Sequence, residues 1–242
     1  MISLVESQRD RDCFFSICHG TAFGCKLGAI ARAYGFSRDF LRLWTDGAAA
    51  YGLIDGEMTI AGRPCVLGEA REFIQMIGPG SVLCDGNIAG GLGLTASVEG
   101  AVMAKDLADG KPVSVQAPGL REIYALLAGA GMAIDFEPFY LDMSHRLRHG
   151  AALALGRYAS GELTGCGVVS AVTEKEAVLS AIAVREDCRR LGIGTELMKE
   201  VEQALPGRRL YLFRESGKNR EFYRKLGFAE AGRWSQKDYM ER

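Results

Sequence analysis

The chain has 242 residues, 48% of them hydrophobic and 24% charged. These are the proportions of a folded globular protein and exclude disordered, collagen-like and low-complexity classes. Its 29 Lys/Arg against 30 Asp/Glu leave a formal charge of −1, without the basic excess of a dedicated nucleic-acid binder or a polybasic membrane anchor. At roughly 150 residues per domain the length fits one or two domains. Cys13, Cys18, Cys25, Cys65, Cys84, Cys166 and Cys188 are odd in number and form no Cys-x-x-Cys pair, so a reducing cytoplasm is the expected home. The longest apolar stretches, such as residues 177–184, are too short to span a bilayer, and no export signal or membrane anchor is expected.

Along the first 45 residues, Phe14, Ile17, Leu27, Ile30, Ala33, Phe40, Leu41 and Leu43 recur at helical spacing and predict two or three short helices broken at Gly20 and Gly35. Residues 49–53 and 58–60 flank Asp55-Gly56, a strong hairpin signal. A helix is expected over 69–77, stopped by Gly78-Pro79-Gly80, then a strand at 81–84. Residues 85–118 are rich in Gly and Ala and carry no clear period; a helix follows at 120–128.

From residue 133 onward, strands are expected at 136–142, 151–159, 162–172 and 177–184, with turns at Ser160-Gly161 and Glu174-Lys175. An amphipathic helix at 194–204, with Leu197, Val201 and Leu205 on one face, ends at Pro206-Gly207. A strand at 209–213, a helix at 218–226 closed by Gly227 and a final strand from Phe228 complete a β-β-β-β-α-β-α-β order. Arg71-Glu72-Phe73-Ile74 echoes Arg220-Glu221-Phe222-Tyr223, as related half-folds would.

Residues 182–195 carry the most chemistry. An apolar strand, a basic glycine-containing turn and a helix start aim unsatisfied backbone N–H groups and the positive end of a helix dipole at one point, which suits an anion. Gly192 and Gly194 leave the backbone accessible, and Arg189 and Arg190 add charge at the rim. A helix start decorated with surface arginines is the bland alternative.

Arg189-x-x-Gly192-x-Gly194 followed by Leu197 resembles the acetyl-CoA pyrophosphate loop of the GNAT acyltransferase superfamily. Residues 222–228, Phe-Tyr-Arg-Lys-Leu-Gly-Phe, resemble its second signature. The two stand in the family's order, and the resemblance covers about residues 133 to 235. It implies a mixed α/β fold, with a GNAT fold in the C-terminal half (131–242) and a degenerate GNAT-like or helical/β N-terminal half (1–130) forming an acceptor-cleft wall. Trp234 and the run Tyr211-Leu212-Phe213-Arg214 fit such a two-part member.

The resemblance also implies roles. Pantetheine would pair with the backbone of Ile182, Ala183 and Val184. Pyrophosphate would meet the amides of Arg190, Gly192, Ile193, Gly194 and Thr195, within the segment that also holds Arg189 and Leu191. Tyr223 would give a proton or hydrogen bond to the departing CoA thiolate. Family members often carry an asparagine where this chain has Ser216, with Asn219 one turn later. The family's strand glutamate is missing from Val178-Leu179-Ser180, so the base stays open among Glu174, Glu176, His145, His149 and a relayed water. His145-x-x-x-His149 lacks a third ligand at metal spacing, Cys188 is expected to be a bystander, and Gly90-Gly91-Leu92-Gly93 lacks the leading arginine of a second acetyl-CoA loop.

The expected function is transfer of an acetyl group from acetyl-CoA to a primary amine. The alternatives are a noncatalytic acyl-CoA-binding module and transfer of a longer acyl or aminoacyl group. The expected partners are acetyl-CoA and an amine acceptor, without metal, nucleic acid or membrane, and with homodimerisation left open.

Overall fold

The computed structural model describes residues 1–115 and 117–239. In chain order the elements are β1 (Ser3–Leu4), α1 (Gln8–Ile17), α2 (Ala22–Tyr34), β2 (Leu41–Thr45), β3 (Ala49–Ile54), β4 (Glu57–Gly62), α3 (Leu67–Ile77), β5 (Ser81–Asp85), α4 (Gly86–Leu92), β6 (Val98–Asp106), α5 (Leu120–Gly129), α6 (Phe136–Arg148), β7 (Leu153–Ala159), β8 (Glu162–Val172), β9 (Glu176–Val184), α7 (Ile193–Ala204), β10 (Arg209–Glu215), α8 (Arg220–Lys225) and β11 (Ala229–Asp238). They form two compact units, one of Met1–Met103 with Phe213–Arg242 and one of Ala104–Leu212.

In the first unit the strands run in the order β1-β2-β3-β4-β5-β11, antiparallel except for the parallel pair β4 and β5. The hairpin expected at Asp55-Gly56 joins β3 to β4, with both residues at positive φ (48° and 79°), as a two-residue turn between right-twisted strands requires. Tyr51, Met58, Ile60, Phe73, Ile74, Val82 and Leu92 build its core against α3 and α4. Leu41 and Leu43, expected on a helix, lie inward on β2 with Arg42 outward, a period of two. The unassigned stretch after residue 85 holds α4 and β6.

The second unit repeats that plan. Its strands run β7-β8-β9-β10, antiparallel except for the parallel pair β9 and β10. Cys166 and Val168 of β8 pack with Ile123, Leu127 and Met143 of α5 and α6. A Cβ at the neighbouring Gly165 would meet Ile193 and Leu197 of α7, so α7 packs on the opposite face.

The strand expected at 136–142 is instead the start of α6. Phe139, Met143 and Leu147, at i, i+4 and i+8, bury one helical stripe, and that periodicity overrides the strand preference of the aromatics around it. Arg146 is buried on the same helix, bonded to Asp142 at 2.6 Å and to the Ser170 carbonyl of β8 at 3.0 Å. The order from residue 120 is therefore α-α-β-β-β-α-β-α-β.

The internal echo joins helices that do not correspond. α3 lies between the parallel strands β4 and β5, as α7 lies between β9 and β10. The counterpart of α8 is therefore α4, and the likeness of Arg71–Ile74 to Arg220–Tyr223 carries no structural meaning.

Candidate functional site

The segment from β9 to α7 gathers Ile182, Ala183, Val184, Arg189, Arg190, Leu191, Gly192, Ile193, Gly194 and Thr195 into one strand–turn–helix unit. β9 pairs with β10 only over residues 176–179 but with β8 as far as Val184, so among the described residues the other edge of 180–184 has no strand partner. A backbone edge of this kind offers N–H and C=O groups to an extended ligand. Bulges fall at Ser170 and Ser180, whose hydroxyls are hydrogen-bonded to each other. A bulge re-aims a strand at the point where pairing ends.

Beyond Val184 a single 3-10 turn (Glu186–Cys188) leads to Arg189, whose Nε donates to the Val184 carbonyl at 3.2 Å and folds that side chain back over the strand end. Arg190 has φ 66° and Gly192 φ 84°. These two left-handed residues turn the chain into α7, and Gly192 is its N-cap without any side-chain cap. Among the described residues, the N–H groups of Arg190, Leu191, Gly192, Ile193 and Gly194 donate to no protein acceptor. The Thr195 N–H already donates to the Gly192 carbonyl at 2.9 Å, shared with Glu196 at 3.1 Å, and so has less to offer a ligand than its five predecessors. Five unspent donors at the start of a twelve-residue helix fit a pyrophosphate.

The turn is braced from beside. Arg185 donates to Asp187 and to Glu162, each at 2.6 Å, and to Cys188 Sγ at 3.6 Å. The Arg185 guanidinium holds the Asp187 carboxyl below the usual carboxylate range. Cys188 is thus a contact of this brace. All seven cysteines are free thiols, and burial pushes Cys84 up to about 12 and Cys166 up to about 11, which keeps both protonated and unreactive.

Tyr223, Ser216 and Asn219 belong to the first unit. Asn219 has φ 52° and stands at the N-cap of α8 without a side-chain cap bond; Ser216 is exposed, and its N–H donates to the Glu99 carbonyl at 3.1 Å. The Tyr223 ring lies 5.1 Å from Phe222 and 5.9 Å from Phe228, between centroids. Its hydroxyl has no hydrogen-bond partner among the described residues, and burial raises the phenol above its ordinary range, so it stays protonated at neutral pH. Sequence reading named Arg214 only as part of the run 211–214 and gave it no role; its guanidinium donates to the carbonyls of Glu215 and Lys218 and pairs with Glu230 at 3.5 Å, holding the turn before α8. Its position after an apolar strand resembles an ordinary strand-end arginine, and only the fold shows its partners.

The residues considered as bases fall apart. Glu176 is buried at the far end of β9 and accepts a bond from the Tyr211 hydroxyl at 3.0 Å. Eight residues at roughly 3.3 Å each separate it from Val184. Glu174 is an exposed turn residue. His145 and His149 stack at 4.0 Å, with His149 Nδ1 bonded to the His145 carbonyl at 2.8 Å. Among the described residues, no group of three or more His, Cys, Asp or Glu side chains is placed to hold a metal, and no helix is long and apolar enough to cross a membrane.

In the equivalent loop of the first unit the N–H groups of Val66, Leu67, Gly68 and Glu69 are likewise claimed by no described residue, but the approach to them differs. There Pro64 has no N–H to give, and the Asp46 carboxylate accepts bonds from the N–H groups of Ala48 (2.9 Å), Ala49 (2.7 Å) and Cys65 (2.9 Å) and from the Tyr51 hydroxyl (3.2 Å). Gly90-Gly91-Leu92-Gly93 closes α4 at its C-terminus, with Gly93 left-handed, and leads into no helix.

Comparison with known proteins bears on the fold. Residues 120–228 match the model of the acetyltransferase (GNAT) family. No curated protein matches the chain in sequence. Among solved structures, the chain is similar to a GCN5-related N-acetyltransferase from Kribbella flavida, with TM-score 0.60, 15% identity and coverage of 92% of this chain and 97% of that one. It is similar to a tandem GNAT protein from the clavulanic acid biosynthesis pathway, with TM-score 0.59, 16% identity and coverage of 98% and 97%. A GNAT-family acetyltransferase from Colwellia psychrerythraea gives TM-score 0.55 at 14% identity, over 99% and 100%. The chain has a mixed α/β, GNAT-like fold, and its residues 120–228 match the GNAT acetyltransferase family model.

Proposed function

We propose that the protein transfers an acetyl group from acetyl-CoA to a primary amine by direct attack while both are bound. The observation that carries this reading is the run of five unspent N–H groups from Arg190 to Gly194 beside an unpaired strand edge. The pyrophosphate accepts from those groups, and the pantetheine lies along the Ile182–Val184 backbone. The amine lone pair forms the new C–N bond at the thioester carbon, the C–S bond breaks, and the thiolate takes a proton. Backbone donors fixed in advance stabilise the oxygen on which charge grows without reorganising.

We assign the proton to Tyr223 on the strength of its place in the family motif. Its raised phenol makes transfer to a thiolate of ordinary pKa about 8.5 uphill, so the expected contribution is modest. The proton lost by the incoming ammonium leaves through water, since none of the side chains weighed as bases is grouped with the loop. Residues 131–242 carry transfer and residues 1–130 govern the choice of acceptor. The protein works in the cytoplasm without a metal.

A thiol-release assay with acetyl-CoA and a panel of amines tests the proposal, with mass spectrometry of any copurified thioester. Release that depends on an amine supports it. Tight CoA binding with no release for any acceptor marks a noncatalytic binding module, and a copurified longer thioester redirects the reading to that acyl group.

A further inference from the structure

The first unit contains a hollow of about 450 Å³ between α3, the end of α4 and β11, distant in sequence from the loop described above. Its floor is aliphatic, made by Ile74, Leu92 and Leu94. Its polar wall carries two cations, Arg71 and Lys237, and among the described residues no carboxylate lines it. Its lining is polar and apolar in near-equal parts, and its volume falls in the range of small-molecule sites.

The two cations are set for an anion. Arg71 is exposed at its helix surface, yet Nε donates to the Leu92 carbonyl at 2.9 Å and one terminal nitrogen donates to the Gly91 carbonyl at 3.3 Å. Those bonds fix the plane of the guanidinium while most of its five N–H donors stay unclaimed by any described residue. Lys237 sits on a strand paired residue by residue with β5, opposite Val82, and its ammonium lies 5.9 Å from the Tyr239 ring centroid, its one described contact. The backbone around it is held by the Tyr239 N–H to the Gly80 carbonyl at 2.9 Å and the Asp238 N–H to Ser97 Oγ at 3.0 Å.

Phosphate sites recruit free backbone N–H groups. Here the N–H of Gly93 is spent on the Gly90 carbonyl at 3.1 Å and that of Leu94 on the Ala89 carbonyl at 2.9 Å. What remains is a fixed planar fork, an ammonium on the same lining, the amide of Gln75, the single unclaimed N–H and hydroxyl of Thr95, an aliphatic floor and a tyrosine ring. We infer that this hollow binds a small carboxylate with an apolar or aromatic body, its carboxylate on Arg71 and Lys237 and its body on Ile74, Leu92 and Leu94.

Calorimetric titration of the full chain with phenylacetate, phenylacetamide and phenyl phosphate tests the assignment. Phenylacetate binds one per chain, with methyl NMR shifts confined to Ile74, Leu92 and Leu94; the uncharged amide binds at least tenfold more weakly, and the phosphate ester binds no more tightly than the carboxylate. Lys237→Met removes one charge and Gln75→Trp fills the hollow from its exposed rim, and each weakens phenylacetate at least tenfold. The inference is overturned by affinity weaker than about 1 mM, by equal binding of the amide, by tighter binding of the phosphate, by methyl shifts elsewhere, or by retained affinity in both variants. Should either variant fail to fold, the methyl map of the unaltered protein decides alone.

Discussion

At Gly192 the backbone is left-handed, and a Cβ built there meets nothing within 4 Å. Substitution therefore acts through conformation, at about 1–2 kcal/mol for a residue with a side chain forced into that region. Gly192→Val should weaken CoA binding at least tenfold, about 1.4 kcal/mol, because the N–H groups that follow it lose their common aim. Unchanged affinity in a folded variant, measured by calorimetry, would take the loop out of the site. At Tyr223 the removal of one hydroxyl leaves the ring contacts with Phe222 and Phe228 in place. Tyr223→Phe should keep CoA affinity and lower kcat by roughly 100-fold or less. An unaltered kcat, with chemistry rate-limiting, would leave Tyr223 a packing residue. The residue types of the loop were legible in sequence because their chemistry is local. The engagement of Thr195 was not, since it depends on how tightly the first turn of α7 closes.

Among the elements, the loop between β4 and α3 gives a counterpart to the one between β9 and α7. Burial would raise the Asp46 carboxyl, but the N–H groups of Ala48, Cys65 and Ala49 outweigh that and hold it below its ordinary value. A depressed carboxylate adds stability above its unfolded pKa and loses it as pH falls through the folded one. Asp46→Asn should therefore destabilise the protein at pH 7 by about 1–3 kcal/mol in urea unfolding, with the difference shrinking as acid protonates the native carboxylate. A gap that stays constant into acid would show that the charge is not what Asp46 contributes. Elements defined by short-range signals, such as the Asp55-Gly56 hairpin and α7 with its amphipathic face, could be read from sequence. α6 was misread because the aromatics of residues 136–140 favour strands by type, although Phe136, Phe139 and Tyr140 already stand at helical spacing that Met143 and Leu147 continue. The echo between α3 and α8 misled for a related reason: four residues fix a local composition, whereas correspondence between halves is set by which strands pair in parallel.

For the whole molecule, the same strand plan occurs twice, with a parallel pair and an intervening helix in each unit. Both copies present unspent N–H groups where the loop meets the helix, but in the first Pro64 has no N–H and that of Cys65 is taken by Asp46, whereas in the second the run from Arg190 to Gly194 is unbroken. A full-length likeness to a tandem GNAT protein fits this duplication of fold. The sequence showed the missing arginine-led loop of the first half but not the carboxylate that takes the Cys65 N–H, because Asp46 lies 19 residues from Cys65 and only folding joins them. Calorimetric titration of the intact chain with CoA tests the account most directly. It predicts one CoA per chain, with affinity lost on Gly192→Val and retained on Asp46→Asn in the folded protein. Two CoA molecules per chain, or one that Gly192→Val leaves undisturbed, would contradict it.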